Sequence, residues 1–387
     1  MKLADRTLNL NAEGAYAVLS KAQELERQGK KIIHLEIGQP DFPTPGNVSK
    51  AGITAIEEGR TKYNPPLGVF ELRQEIAKQF SKSRNCEVYA SQVVITPSGK
   101  MGIFAAYSAI VNPGDEVIYP DPGFPTYEAL TDFFGGVKTP VPMTEENDFS
   151  FDMEIFKKTI NKNTKLIILN SPSNPTGSII SKKDLIEIGK LAEENNSWIV
   201  SDEMYSRILY DGEFNSIYSE HGNEGRTIIL DGFSKTYSMT GWRLGYMIVP
   251  VDFVKKFDYI LTHSVGCTAT FTQYAGLEAL RGDQTSVSRM VSEFKKRRDY
   301  LVAALNEIKG VTCKLPAGAF YVFPNIKSFG KSSDEIADYL LNEANVALLS
   351  GKSFGAHGEG YLRISYATSM ENLEEGVKRI KTALAKL

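Results

Sequence analysis

Short, uninterrupted apolar runs recur through the middle of this 387-residue chain, and nearly every one is followed by a polar or glycine-rich turn. The runs lack the alternation of a half-exposed strand, so we expect strands that are buried on both faces. Helical segments such as residues 100–111 alternate with them. The pattern predicts an α/β fold with a mostly parallel central sheet flanked by helices. The runs are QVVIT (92–96), DEVIYP (115–120), KLIILN (165–170), SWIVSD (197–202), TIILD (227–231) and LGYMIVP (244–250).

The C-terminal part of the chain has a different pattern. Residues 286–308 carry apolar side chains at helical spacing among charges, which is typical of a long amphipathic connecting helix. Beyond it, GAFYVFP and GYLRISYA resemble the strands of a smaller α+β domain. A chain of this length exceeds one ordinary core. We therefore predict a large domain over 48–288, a small domain over 289–387, and an N-terminal segment, 1–47, that packs on the small domain.

Composition argues against several classes of protein. The formal net charge is −3, so there is no electrostatic reason to expect a nucleic acid or an anionic membrane as partner. No apolar run approaches the roughly 18 residues of a membrane span, and the start lacks the core of a signal peptide. We expect a cytoplasmic protein with reduced thiols and no bound metal, because neither the cysteines nor the histidines have the spacing of metal ligands. The residues concerned are Cys86, Cys267, Cys313, His34, His221, His263 and His357.

Polar residues gather where the predicted strands end, which is where parallel sheets bind ligands. After the first run, Ser98-Gly99-Lys100 opens a helix, and the free N–H groups of such a start suit an anion. The fourth run ends in Asp202, with Tyr205 three residues later. Each feature alone has an ordinary explanation, since Ser-Gly turns are common and an acid often caps a helix.

A single lysine, Lys235, stands in the otherwise uncharged window 232–242, and the next cation is Arg243. A lysine that must lose its proton near neutral pH needs a place where the ammonium form is poorly solvated. Together with the anion site and the strand-end acid, this lysine suits pyridoxal phosphate. That cofactor needs an imine-forming lysine, a phosphate site and a carboxylate that keeps the pyridine nitrogen protonated.

The motifs NPTG, SDEMY and SKTYSMTGWRLGY resemble those of the class I aminotransferases, which are fold type I pyridoxal-phosphate enzymes. Most similar is the aspartate aminotransferase-like branch of bacteria and archaea. The likeness runs from EGAYAVLSKAQELE through HLEIGQPDFPTP and TKYNPPLGVFELR to LRISYA, so it covers almost the whole chain. It implies a homodimer that binds pyridoxal 5'-phosphate and moves the amino group of an L-amino acid to a 2-oxo acid.

The resemblance also assigns catalytic and cofactor-binding roles. Lys235 would form the imine and move the proton at the substrate Cα, and Asp202 would pair with the pyridine nitrogen. Tyr205 and Asn174 would hydrogen-bond the phenolic oxygen of the ring. The remaining implied contacts are Ser98, Gly99, Lys100 and Arg243 on the phosphate, Phe124 on the ring face, and Tyr63 on the phosphate of the neighbouring subunit.

Arg363 is the implied partner of the substrate α-carboxylate. In YLRISYA, period-2 alternation puts Leu362 and Ile364 on one face and Arg363 on the other, where its planar guanidinium can grip a carboxylate. Without the resemblance, a surface or ion-pair role would be the commoner one. Gly38 and Asn174 would line the same substrate site.

Lys100 bears on the choice of substrate. It matches a position where aspartate-type members carry a lysine near the distal carboxylate, which favours aspartate, with glutamate and 2-oxoglutarate as the second pair. Alternatively, Lys100 is a solvated residue at a helix start.

One departure and several alternatives stand beside this assignment. Gly232 occupies a position where the family frequently has a serine on the phosphate, which puts one contact in doubt. The same scaffold also supports aromatic or alanine aminotransferases, decarboxylases and carbon–sulfur lyases. A ligand-sensing module without catalysis would need a fused DNA-binding domain, and the chain has no added helix-turn-helix. An inactive scaffold conflicts with the suitable residue types at the other cofactor positions.

Overall fold

The computed structural model describes residues 1–8, 10, 13–220 and 222–387. His221, one of the four histidines considered above, lies outside the described residues. The strands are β1 (Ile33–His34), β2 (Val93–Thr96), β3 (Glu116–Asp121), β4 (Val137–Pro142), β5 (Thr164–Asn170), β6 (Trp198–Asp202), β7 (Thr227–Gly232), β8 (Gly245–Ile248), β9 (Tyr321–Val322), β10 (Val346–Ala347), β11 (Leu349–Ser350) and β12 (Leu362–Ser365).

Helices make up much of the remaining described chain, joined by loops and short 3₁₀ turns. In chain order they are α1 (Gly14–Arg27), α2 (Gly46–Glu57), α3 (Phe70–Arg84), α4 (Gly99–Ile110), α5 (Thr126–Phe133), α6 (Met153–Thr159), α7 (Lys182–Asn195), α8 (Val254–Ser264), α9 (Thr270–Arg281), α10 (Thr285–Asn306), α11 (Ser333–Glu343) and α12 (Met370–Leu384). Among the described residues, none of these helices is both long and apolar enough to cross a membrane.

A seven-stranded sheet in the order β2-β8-β7-β6-β5-β3-β4 forms the centre of the molecule. The neighbours from β7 to β4 pair in parallel, whereas β8 runs antiparallel to both β2 and β7. The short connection over residues 233–244 returns the chain beside the strand it has just left, which requires an antiparallel pair. The predicted α/β class with a mostly parallel sheet is confirmed.

The two faces of this sheet explain why its strands lack alternation. In β5, Leu166 and Ile168 join a core cluster with helices α4 and α8, and Ile167 and Leu169 join another beneath α6 and α7. All four side chains are fully buried. Burial of such a side chain stabilises the fold by about 1.5–3 kcal/mol, so both layers of helices hold the sheet in place.

Each of the six predicted apolar runs contains a strand, but β4 has no counterpart among them. This strand lies at the edge of the sheet and contains Pro140 and Pro142, which cannot donate to a ladder. Its first residue, Val137, is 48% exposed. An edge strand needs neither a continuous apolar run nor a full set of N–H donors, so it has little sequence signal.

A second body of structure contains β1 and the C-terminal part of the chain. Strands β11, β12 and β9 form an antiparallel sheet, and β1 pairs in parallel with β10. The predicted connecting helix at 286–308 is observed as α10, whose Phe294 and Leu301 belong to the core of this body. The proposed domain limits at residues 47 and 288 remain a prediction.

Candidate active site

A cavity of about 930 Å³ lies where the carboxyl ends of β5, β6 and β7 meet α1, α4 and the smaller sheet. It brings together residues that are as much as 325 positions apart in sequence, between 38 and 363. Eleven of the twelve residues predicted for the site line it: Gly38, Ser98, Gly99, Lys100, Phe124, Asn174, Asp202, Tyr205, Lys235, Arg243 and Arg363.

Lys235 follows β7 and reaches the middle of the cavity. Its Nζ donates a hydrogen bond to the carbonyl oxygen of Gly38 at 2.5 Å. Burial, followed by the nearby cations Arg363 and Arg243, lowers the pKa of Lys235 to about 8, while Asp202 opposes the shift. An amine with this pKa is available in the neutral, nucleophilic form near neutral pH.

Asp202 is the last residue of β6, and its side chain is buried. The Tyr127 hydroxyl donates to Oδ2 at 2.8 Å, and the Met204 backbone N–H donates to Oδ1 at 3.2 Å. Burial raises the pKa of Asp202 to about 6, although these hydrogen bonds and Lys235 act in the opposite direction. The carboxylate is therefore largely ionised at pH 7, and it can accept a hydrogen bond from a cationic donor such as a pyridinium N–H.

Tyr205 and Asn174 line the cavity together with Asp202. The hydroxyls of Tyr205 and Tyr321 are 2.7 Å apart, and burial raises the pKa of Tyr205 well above its usual range, so it stays a neutral donor. The Asn174 backbone N–H donates to Asn170 Oδ1 at 2.8 Å, which fixes the loop. The buried Oδ1 of Asn174 has no hydrogen-bond partner among the described residues.

The start of α4 forms a cradle for an anion. Ser98 adopts φ +87°, which turns the chain sharply into the first helical turn at Gly99. A Cβ on Gly245 would lie 2.7 Å from the Gly99 nitrogen, so only glycine permits this close approach. Free N–H groups at a helix start, with the exposed Arg243 guanidinium beside the same cavity, form a donor set that suits phosphate.

Gly232, the departure from the family pattern, is explained by packing. A Cβ there would lie 3.0 Å from the Gly245 Cα and 3.1 Å from the Leu244 carbonyl oxygen. A serine would have to push the neighbouring strand β8 away by a few tenths of an ångström. The glycine therefore belongs to the same close packing as the cradle.

Arg363 provides a buried cation at the other end of the cavity. It is 3% exposed, and all four residues of β12 are buried, so both faces of this strand pack against protein. Its Nη2 donates to the Glu36 carbonyl oxygen, whereas its buried Nε has no partner among the described residues. An incompletely satisfied guanidinium that lines a cavity has a donor available for an anionic ligand, and its planar geometry suits a carboxylate.

Lys100 lies at the mouth of the cavity. It forms an ion pair with Glu13, and its side chain is 46% exposed. Its Nζ is 5.3 Å from the centre of the Phe124 ring, which is partly buried and packs edge-on against Tyr127 at 5.7 Å. This cation is thus within reach of solvent and of a ligand, unlike Arg363.

Tyr63 does not line the cavity of the single chain. Its side chain is 97% exposed, so it neither packs in the core nor reaches the other predicted site residues.

Several site residues have no place in the sequence-based prediction. Tyr127 and Tyr321 donate to or contact Asp202 and Tyr205, but one tyrosine at a helix start and another in an apolar strand give no functional signal in the sequence. Asn170 could have been found, because it ends a buried strand just as Asp202 does. Glu13 and Glu36 contact Lys100 and Arg363 across more than 80 residues of sequence, a distance that no local pattern bridges.

Comparison with known proteins decides the family. Residues 30–380 match the model for Aminotransferase class I and II. The chain belongs to this family. It is 37% identical to an aspartate aminotransferase of Pyrococcus horikoshii, covering 99% of this chain and 97% of the relative. It is 39% identical to the aromatic-amino-acid aminotransferase 2 of Thermococcus litoralis, covering 99% and 98%.

A solved structure of Thermus thermophilus aspartate aminotransferase with maleate superimposes with a TM-score of 0.95. The two sequences are 35% identical, and the match covers 99% of this chain and 100% of that one. The predicted family, its fold and the transaminase class of enzyme are therefore confirmed.

The depressed pKa of Lys235 leads to a first prediction. In the folded, cofactor-free protein, the acylation rate of Lys235 should rise with pH, with a midpoint near 8. Arg243→Ala should move this midpoint upward, because it removes one of the cations that disfavour the ammonium form. Peptide mass spectrometry after pulsed labelling measures the rate at each lysine. A midpoint above 10 would show that Lys235 is an ordinary solvated lysine.

Proposed function

We propose that this aminotransferase exchanges amino groups between aspartate and 2-oxoglutarate, using pyridoxal 5'-phosphate held in the cavity. The supporting observation is the neutralisable amine of Lys235, set between the carboxylate of Asp202 and the guanidinium of Arg363. We place the enzyme in the reducing cytoplasm, a location with which the free thiols of Cys86, Cys267 and Cys313 are consistent.

The donor set fits the cofactor at each of its polar ends. The start of α4 and Arg243 would hold the phosphate, Asp202 the pyridine nitrogen, and Tyr205 and Asn174 the phenolic oxygen. When bound, pyridoxal phosphate supplies an aldehyde that condenses with amines and a ring that withdraws electrons from the substrate Cα. The Phe124 ring would cover one face and keep water from it.

The residues of the chain would then bind the substrate and move its proton. Arg363 would receive the α-carboxylate, which places the substrate Cα toward Lys235. The Lys235 amine would take the proton from Cα and return it on the cofactor side, a transfer for which a pKa near 8 is well matched. Gly38, whose carbonyl accepts from Lys235 in this structure, would help to keep the amine in place.

Aspartate is favoured by the cation at the mouth of the cavity. Lys100 already holds a carboxylate there, that of Glu13, and a distal substrate carboxylate could take its place. The related Thermus enzyme was solved with maleate, which is also a dicarboxylate.

The role of Lys235 is tested by its removal. Lys235→Ala should lower kcat for aspartate and 2-oxoglutarate by ~10³-fold or more, because both the attachment point and the proton carrier are lost. The yellow absorbance of the bound cofactor should change in the same variant. Lys183→Ala, which removes an exposed lysine of α7, is the matched control and should behave as wild type. Turnover by Lys235→Ala at the wild-type rate would refute the assignment.

The choice of substrate is tested at Lys100. Lys100→Met should raise KM for aspartate by up to ~5-fold, because an exposed ion pair with the distal carboxylate, which contributes up to about 1 kcal/mol, is lost, and should leave KM for phenylalanine within ~2-fold. Lys100→Arg keeps the cation and should retain the preference. Steady-state kinetics with both amino donors gives the ratio. Equal effects on both donors would favour an aromatic or general aminotransferase.

We also propose a homodimer in which Tyr63 reaches the phosphate of the neighbouring subunit. The support is a set of exposed large apolar side chains that flank Tyr63 in the sequence, namely Ile53, Ile56 and Phe70, which are 50–60% exposed. Exposed apolar surface of this kind is typical of an interface.

Hybrid dimers test the shared site. When Lys235→Ala and Tyr63→Ala chains carry different tags and are co-expressed, one site of each hybrid should contain both intact residues. The purified hybrid should therefore show about half of the wild-type activity at limiting cofactor, which neither parent reaches. A hybrid no more active than the parents would mean that Tyr63 does not serve the neighbouring site.

A further inference from the structure

A set of charged side chains outside the roles assigned above lies beside the substrate end of the cavity. His34 of β1 lies between two carboxylates: its Nδ1 is 2.7 Å from Glu36 Oε1, and its Nε2 is 3.1 Å from Glu26 Oε1 on α1. The Glu36 side chain has no solvent exposure. Its second oxygen, Oε2, has no hydrogen-bond partner among the described residues. We call these three residues the His34 triad.

The His34 triad contacts Arg363 and also contributes to the lining of the cavity. Arg363 Nη2 donates to the main-chain oxygen of Glu36, so the same residue presents its carbonyl to Arg363 and its carboxylate to His34. Glu26 and His34 themselves line the cavity, together with other residues of α1. The charges alternate in sign along this path, from Glu26 to His34, Glu36 and Arg363.

His34 is held in its protonated form. The hydrogen bond to Glu36 raises the pKa of His34 to about 9 against the effect of burial, and Glu26 adds to the rise. The opposite face of β1 is apolar, since Ile33 and Leu35 pack towards Gly376 of α12.

The charged residues of α12 lie on that far side of β1. There Arg379 pairs with Glu375 and donates to the backbone oxygens of Lys31 and Asn345. Glu26 and Glu36 are therefore the charged groups that face His34 in the described chain.

We propose that the His34 triad positions Arg363 for the substrate α-carboxylate by holding the Glu36 carboxylate away from it. This rests on the role proposed above for Arg363. A fully buried carboxylate with one free oxygen turns to a nearby cation unless another partner holds it. If the imidazolium were removed, the nearby guanidinium of Arg363 would take the Glu36 carboxylate and be lost to the substrate.

The test is the affinity of the cofactor-loaded protein for succinate, a dicarboxylate that does not react, measured by calorimetry. His34→Gln keeps a hydrogen-bonding side chain but loses the charge, and it should raise the Kd by about tenfold. KM for aspartate and for alanine should rise by the same factor, since both have an α-carboxylate, while kcat changes by less than about threefold. This pattern differs from that of Lys100→Met, which affects aspartate alone.

A double variant separates positioning from general damage. His34→Gln with Glu36→Gln leaves no carboxylate to occupy Arg363, so succinate affinity should return to within about threefold of wild type. A purely structural role predicts that the double variant binds more weakly than His34→Gln. If His34→Gln does not fold, Glu26→Gln carries the test, with an expected rise in Kd of about threefold.

Arg363→Lys separates the two proposals. Wild-type succinate affinity in Arg363→Lys would overturn the proposed function and this inference together. Weakened binding in Arg363→Lys with wild-type affinity in His34→Gln would overturn this inference alone, as would a double variant no better than His34→Gln.

Discussion

The site depends on the cost of keeping a charged amine at the end of a buried strand. Lys235 follows β7 into a place where burial and three cations, Arg363, Arg243 and Lys100, all disfavour the ammonium form. Burial is the largest of these effects and the three cations add to it, whereas an isolated surface lysine stays charged at neutral pH. The sheet matters because it delivers Asp202 and Lys235 from neighbouring strand ends to the same cavity.

This arrangement lowers the stability of the fold, because the pKa values of both Lys235 and Asp202 are shifted against their charged forms. The effect on stability changes with pH in an alkaline range for Lys235 and in an acidic range for Asp202. In the folded protein the pKa of Lys235 is lowered from 10.5 to about 8. Between these two pH values the folded state binds fewer protons than the unfolded chain, so the free energy of unfolding increases as the pH rises from about 8 to 10.5. The folded pKa of Asp202 is raised from 3.8 to about 6, so stability falls as pH rises through that window. Near neutral pH both groups are therefore at their least favourable, and a ligand bearing a cation for Asp202 and an anion for Arg243 would relieve the cost.

The sequence predicts the frame of the molecule better than the contacts inside it. Buried strands such as β5 could be recognised, because helices cover both faces and every residue in the run must be apolar. Edge strand β4 could not, since solvent and two prolines remove that requirement. Alternation in β12 separated Arg363 from its apolar neighbours but did not show that both faces of the strand are buried.

The same limit applies to the site. Lys235, Asp202 and the Ser98-Gly99-Lys100 turn stand at strand ends, where topology alone brings them together. Other residues act through contacts between positions that are far apart in the sequence, so local residue spacing does not predict them. They are Tyr127, Tyr321 and Glu36. The place of Tyr63 is a different case, because a single chain lacks the surface on which that side chain would act.

The two ends of the cavity differ in how strongly they can select a substrate. Arg363 is 3% exposed, and the α-carboxylate proposed as its ligand is a group that every amino acid has. The buried end would therefore supply affinity without distinguishing one amino acid from another. Lys100 is half exposed and shares its charge with Glu13, and an ion pair in such a setting contributes only about 0–1 kcal/mol. The Phe124 ring beside it offers apolar surface to a different side chain. Relatives of similar identity are named for aspartate and for aromatic amino acids. If the mouth selects the side chain as proposed, a small change in free energy there would be enough to change the preferred substrate while the buried end stays the same.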